Sequence, residues 1–583
     1  MRHVRRFPVL TRWRAGLLPV CAAFALGCHG EVGSVGTNHV ETPLCDPSDS
    51  TQVVVPQRVE LLTSTQLMNM ARLISADAAQ MIIDQALFPV ITDITVRFPL
   101  QRVEQYKVIP DADTLSPFNN TAQALGTFVT TNFATVTKCA TPAQDSCATA
   151  YLNALAAKAY RRPLTSDETT RFTTLYTNLK SQLVNGYQVS LSVEEATGNA
   201  VYALFMSPQL LWRWELGNQV STAPAGVYLT DTELASNLSF FLSDGPPDDM
   251  LVADAQAGTL RANVASHVDR ILKTQASRDW LRHVMEVYFF LNQLPSTLID
   301  SGKFPIVGSG AIFSDLQMSS RLFLDDTMWN GKVLDMITSH KGFVNTNLAT
   351  MVYNVPVPAQ ATNTNFVATM LDPNERSGLL TDAGFITTRA RSTGVGVIPR
   401  GLGVKSLFLC LDTPPPPDSI NQPGGPVQTA AAMLDMQTAQ EQVATRAMTA
   451  PCNSCHPSFD PYGLVLDWYD VVGRYRTTDD LGKPVDGHTT LPATVGGQTV
   501  QSAVELAKVL SNTDLFTNCM AKTMLLDALI EANIELPLPD GSQKGCAVSA
   551  IAHNLRHSSG QSFTDLTKAV ATSPAFVLRQ QIQ

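Results

Sequence analysis

The strongest constraint on this chain is a six-residue stretch near its C-terminus, Pro451-Cys452-Asn453-Ser454-Cys455-His456. It contains C-x-x-C-H, the spacing used to attach a c-type haem. Two thiols at that separation reach the two vinyl groups of one porphyrin, and the next residue offers an imidazole to the iron. With ten Cys and ten His among 583 residues, the pattern arises by chance in about 0.003 of such chains.

Three other readings compete with it. A thioredoxin-like C-x-x-C opens a helix after a strand, and no strand pattern precedes Cys452. A zinc site needs two further ligands; His488 and Cys519 are available, but there is no second C-x-x-C. The third is a Cys452–Cys455 disulfide. On the haem reading one haem c is held covalently by Cys452 and Cys455, with His456 as the iron ligand. Met520, Met524 and His488 are the candidates for the opposite axial position. The two methionines are four apart and share a helix face. Methionine there raises the potential, histidine lowers it, and an open position admits ligand chemistry. Arg474 and Arg476 are candidates to pair haem propionates, because guanidinium matches carboxylate geometry. The second ring nitrogen of His456 needs an acceptor, expected among the backbone carbonyls of Pro457–Pro461.

The N-terminus reads as an export signal. Arg2, Arg5, Arg6, Arg12 and Arg14 precede a short uncharged apolar run from Ala15 to Gly27, too short to span a bilayer. The run ends Phe24-Ala25-Leu26-Gly27-Cys28, which resembles a lipobox with Ala25 where Leu is usual. Cys28 is the lipidation candidate, and plain secretion with cleavage nearby is the alternative. The expected location is periplasmic or outer-membrane-attached, with the membrane reached only through that anchor. Net charge is −10, and a chain from Cys28, without the five arginines before it, carries −15. That charge argues against nucleic acid as a partner. Ten cysteines fit an oxidising compartment. Outside the signal, Cys28 and the motif, Cys139 and Cys147 are spaced to close a small loop, and Cys519 with Cys546 is the next expected pair.

Periodicity predicts a mainly α protein: a multi-domain helical body followed by a small α-helical cytochrome-c-like haem region. The expected divisions are a signal at 1–27, a flexible tether at 28–57, helical domains at 58–142, 143–225 and 226–372, a haem-motif domain at 373–496 and a C-terminal helical domain at 497–583. Thr165 with Glu168 and Thr230 with Glu233 form capping boxes, and Ser207-Pro208 marks a helix entry. Residues 86–118 read as extended or irregular. Trp212 and Trp214 read as two divergent residues of a helix, one of them free to face a partner or a sugar. Arg161-Arg162-Pro163 reads as a helix junction, and Asp244, Asp248 and Asp249 as a capping turn. Pro414–Pro417 cannot be helical and separates the body from the haem region.

Five stretches carry a family resemblance. They are RVELLTSTQLMNMARLI at 58–74; AYRRPLT at 159–165 with Glu168; and SPQL at 207–210 followed by YLTDTELASNLSFFLSDGPPDDML at 228–251. The fourth holds RSGLLT at 376–381, Pro399-Arg400-Gly401, the motif and FDPYGLVLDWYDVVGRYR at 459–476; the last ends SPAFVLR at 573–579. The chain resembles the large secreted proteins of planctomycetes and myxobacteria built from consecutive domains of unknown function, the planctomycete-type cytochrome c proteins. Asp460, Pro461, Gly463, Asp470, Gly473, Arg474, Tyr475 and Arg476 match that pattern. Asp467 and Tyr469 replace its Glu and Phe, and Met524-Leu525-Leu526-Asp527-Ala528 stands where it has a Tyr-Ala-x-Gly-Arg-like stretch. The resemblance implies secretion and a redox association.

Three functions remain open on these grounds. One is an exported c-type haem protein in electron transfer, its helical body binding a redox partner protein, a polysaccharide or a cell-surface partner. The second is a haem-dependent oxidoreductase subunit of peroxidase or dehydrogenase type. The third is a non-redox surface lipoprotein scaffold.

Overall fold

Helix starts are encoded locally. In the computed structural model, capping boxes close at Thr63/Gln66, Thr165/Glu168, Ser192/Glu195, Thr230/Glu233 and Thr438/Glu441, each satisfying backbone N–H groups that a helix start leaves unpaired. Pro208 opens the short helix Pro208–Leu211 as its spacing predicts. The structure describes residues 44–46, 48–78, 112–140, 142–184, 187–308, 310–416, 436–530, 534–537 and 545–582, all within the unit 40–583. The signal, Cys28 and all of 86–111 lie outside the described residues.

The fold is mainly α with small sheets, as periodicity predicts. Its apolar residues form two large cores. One gathers the helices Ala112–Thr131, Asp145–Ala159, Ser166–Lys180 and Val193–Phe205 around Leu125, Leu152, Val201 and Phe205. The other takes in Val55, runs from Leu229 to Phe576 and joins Asp231–Ser243, Leu260–Ile271, Gln275–Tyr288, Ala311–Asn330, Leu515–Leu529, Cys546–His557 and Phe563–Ala571. The C-terminal helices thus complete the core begun at Leu229. No helix among the described residues is long and apolar enough to cross a membrane.

Short strands tie distant parts of the chain together. Arg58–Leu61 pairs antiparallel with Trp212–Glu215. Leu578–Arg579 joins Ala225–Tyr228, which pairs in turn with Gln219–Thr222. Gln580 donates its N–H to Val55 O at 2.8 Å and accepts from Gln57 N at 2.9 Å. At this seam Glu215 is 1% exposed. It accepts from Arg579 Nε at 2.6 Å, Arg58 Nε at 2.8 Å and Asn237 Nδ2 at 2.9 Å. Burial alone pushes its carboxyl up, but Arg579, Arg58 and Arg213 hold it far below the ordinary range.

Several expectations are corrected here. Residues 45–57 are not tether: Cys45 is bonded to Cys546, and Val53 and Val55 are fully buried. That bond also overturns the Cys519–Cys546 pairing; Cys519 instead joins Cys410, and only Cys139–Cys147 pairs as its spacing predicts. Residues 112–118 are helical, not irregular. Trp212 and Trp214 lie on a strand, so residues two apart share one face and do not diverge. Arg161 is a buried junction residue, donating to the carbonyls of Ala159, Leu210, Gln209 and Trp212. Asp248 caps the helix Asp249–Gln256 and pairs with Arg270 at 2.6 Å.

Candidate functional site

The motif sits on two 3-10 turns, Cys452–Ser454 and His456–Ser458, between the helix Ala439–Met448 and the short helix Asp460–Leu464. Pro457 and Pro461 each occupy a first-turn position, where the missing N–H costs nothing. The turns are positioned by a close crossing of Asp460–Leu464 with Val397–Leu407. A methyl group on Gly463 would overlap Val397 O, and one on Gly401 would overlap Phe459 O. Glycine at both positions is what lets the two backbones touch.

Arginines then staple the surrounding backbone. Arg400 is fully buried and donates to the carbonyls of Leu466, Tyr469 and Asp470 at 2.6–2.7 Å. Burial pushes its guanidinium down to about 10. Arg376 donates to Thr381 O and Gly473 O, at 2.9 and 2.8 Å, and lies over the rings of Tyr353 and Tyr469. Lys405 reaches Ser458 Oγ at 3.0 Å.

The histidine is backed by a carboxylate. His456 Nδ1 lies 3.1 Å from Asp460 Oδ1 and 3.2 Å from Oδ2. Asp460 is 1% exposed and accepts from Arg446 Nε at 2.7 Å. The expected acceptor, a backbone carbonyl of 457–461, is thus replaced by a side chain one helical turn on. With Nδ1 engaged, Nε2 is the nitrogen left to face a metal, the arrangement that orients ligating histidines and raises their basicity. Arg446 Nη2 is buried with no partner. The sequence signal for Asp460 was its i+4 spacing from His456; Arg446, ten residues before His456 and on another helix, gave none.

The thiols stand apart from the other described cysteines. Six of these are paired in disulfides, and Cys452 and Cys455 alone are free, both partly exposed. Among the described residues, the one group of three or more His, Cys, Asp or Glu ligand atoms close enough to share an ion is Cys45, Asp49 and Cys546, and two of those are bonded to each other. Cys452, Cys455 and His456 therefore do not converge on one point as a zinc site requires. Two free thiols, a backed imidazole and an orphaned guanidinium nitrogen fit the chemistry of a porphyrin's periphery.

The remaining candidates have other roles. Arg474 pairs with Asp470 at 2.6 Å, and Arg476 with Asp467 at 2.7 Å and Asp480 at 2.9 Å. Both brace the loop after Asp460–Leu464, Arg474 through its Nε alone and Arg476 through three hydrogen bonds. Met520 and Met524 are at most 1% exposed, in the core, on a helix packed against Cys546–His557 and Phe563–Ala571. His488 is exposed in a turn where its own N–H is held by Asp486 at 2.9 Å.

Three family models match the chain in succession. PSD5, protein of unknown function (DUF1595), covers residues 147–215. PSD4, protein of unknown function (DUF1592), covers 229–355. PSCyt3, protein of unknown function (DUF1588), covers 376–479 and so includes the motif. No curated protein and no solved structure gives a significant match.

Proposed function

We propose that this chain, carrying three such consecutive domains, is an exported c-type haem protein acting in electron transfer. One observation carries the reading. The two cysteines left free when the other described cysteines are paired belong to C-x-x-C-H, and its histidine is backed by a buried Asp–Arg pair. The printed name PSCyt3, on the model that spans the motif, supports it.

Cys452 and Cys455 would hold the group by thioethers, and His456 Nε2 would ligate its iron. Bound there, the haem supplies one-electron transfer at its iron. The protein's own part is to fix the ring of His456 through Asp460, to hold Asp460 through Arg446, and to offer Arg446 Nη2 as a donor for a propionate. Export through the N-terminal signal, with Cys28 as a lipid anchor on the periplasmic side, places the cysteines where such attachment occurs. A redox partner protein delivers and removes the electron.

A second reading is favoured by one feature. A carboxylate behind a ligating histidine raises its basicity and stabilises the oxidised metal, which suits a haem-dependent oxidoreductase as well as a carrier. The test of both is an absorption spectrum with a pyridine haemochrome assay, on chain exported in a host with cytochrome c maturation. A denaturation-resistant c-type spectrum, lost in Cys452→Ala/Cys455→Ala, is expected. An exogenous axial ligand such as cyanide then separates them: a carrier with both axial positions filled resists it, and an oxidoreductase binds it. A colourless protein with a Cys452–Cys455 disulfide overturns both and leaves the scaffold.

A further inference from the structure

A second cleft, made of residues outside the motif region, lies beside the strand Trp212–Glu215 and the start of the helix Asp231–Ser243. Its volume is about 390 Å3, within the range of pockets that hold small ligands. Trp214, Tyr160, Arg162, Gln209, Thr232 and Ser236 line it.

The aromatic wall is out of place for a structural residue. Arg213 and Glu215, on either side, are buried, but Trp214 is 44% exposed, as is its cross-strand partner Val59 at 42%. The Trp214 indole N–H has no partner among the described residues. An exposed tryptophan gives a flat apolar face with one polar handle. Ser236 supplies the second, independent observation. It is 6% exposed, and its hydroxyl is buried without a hydrogen-bond partner. A serine inside a helix ordinarily bonds back to the preceding turn, as Ser243 does to Ser239 O at 2.9 Å on the same helix. An unsatisfied buried hydroxyl on a cleft wall calls for a ligand or a water.

The charged groups here are already committed. Arg162 holds both carboxylate oxygens of Glu168, at 2.7 and 2.8 Å. Arg161 spends its terminal nitrogens on four carbonyls. Glu233 accepts from the N–H groups of Leu216, Gly217 and Thr230. What remains for a ligand is neutral: an indole face, the Gln209 amide and the hydroxyls of Thr232 and Ser236. A pyranose ring has the matching chemistry, apolar C–H groups on its face and hydroxyls around its rim.

We propose that this cleft binds a neutral saccharide, one sugar face stacked on Trp214 and its hydroxyls bonded by Gln209, Thr232 and Ser236. The site is independent of haem attachment and is retained in Cys452→Ala/Cys455→Ala.

The test is native affinity electrophoresis of the full chain in gels containing neutral polysaccharides (β-1,3-glucan, β-1,4-glucan, xylan, galactomannan) or anionic ones (heparin, polygalacturonate). At least one neutral gel should retard the chain, with little dependence on salt. Trp214→Ala should weaken that retardation about tenfold or more, Trp214→Phe should keep part of it, and Ser236→Ala should weaken it severalfold. Unchanged circular dichroism and unfolding midpoint show that each variant is folded. Failure of every neutral gel, retardation only by the anionic ones with strong salt dependence, or equal retardation of folded Trp214→Ala overturns the proposal.

Discussion

Replacing Glu215 by Gln removes the fully buried negative charge from a cluster of arginines while keeping the side chain's size; Glu60, half-buried on the neighbouring strand, still pairs with Arg58 and Arg213. Arg579 is fully buried and Arg213 is 3% exposed, so neither can turn to water. Two unit charges about 4 Å apart attract by about 4 kcal/mol at an effective dielectric of 20. Arg579 and Arg58 both lie in direct contact, at 2.6 and 2.8 Å. The desolvation already spent on the ions offsets much of that, and breaking a buried pair from one side costs about 3–5 kcal/mol net. The new amide also turns donors toward donors, since Asn237 Nδ2 already points at this carboxylate. The cluster joins strands 58–61, 212–215 and 578–579, so the loss should appear in the first unfolding transition. The assay is equilibrium urea unfolding followed by circular dichroism. At a slope of about 3 kcal/mol per molar, the first midpoint of Glu215→Gln should fall by about 1 M. The pH dependence checks the cause. The carboxyl is held far below its ordinary 4.5, so its contribution is complete above that value and is lost as pH falls toward the folded pKa. The gap between wild type and variant should be widest near neutrality and shrink on acidification below about 4.5. A midpoint unchanged within error, or a gap that does not narrow in acid, refutes the reasoning.

Three further outcomes are expected. Asp460→Asn should leave any thioether-bound haem in place but weaken the His456 ligand, raising the midpoint potential by about 60 mV, a tenfold change for one electron; an unchanged redox titration counts against Asp460 as a positioning residue. Gly463→Ala drives a methyl group into Val397 O and should cost about 1–3 kcal/mol, read as a lower melting temperature, with Ser454→Ala as the neutral control. Loss of the Cys45–Cys546 bridge in Cys45→Ala/Cys546→Ala should cost about 2–5 kcal/mol and speed limited proteolysis near Val53.

What the sequence made legible was local. Thr165/Glu168, Thr230/Glu233 and Pro208 announce helix starts because the bonds they make span three or four residues. The helices after residue 500 are legible from their apolar content, although Leu515–Leu529 is buried on every face and carries no polar stripe. The Cys139–Cys147 loop closes over a separation of eight. The motif itself is a spacing, and its chemistry is readable without a fold. What stayed hidden depends on partners far along the chain. Trp212–Glu215 looks helical until Arg58–Leu61 lies beside it. Cys546 finds Cys45 across 501 positions, a pairing that no spacing rule reaches. Arg474 and Arg476 look free in sequence, and only the folded loop shows Asp467, Asp470 and Asp480 occupying them. Met520 and Met524 share a face, but that face points into apolar side chains.

The seam at Glu215 also has a consequence in time. Arg579 is synthesised 518 positions after Leu61. Val55, Gln57 and Glu215 all take partners at 579–580, so vectorial synthesis cannot finish this seam until residue 580 has been made. The fold is a belt whose buckle is the strand Leu578–Arg579. Until Arg579 arrives, Arg58 and Glu215 are an incomplete clasp, and the core begun at Leu229 lacks its C-terminal helices. Contacts of such long sequence separation form slowly.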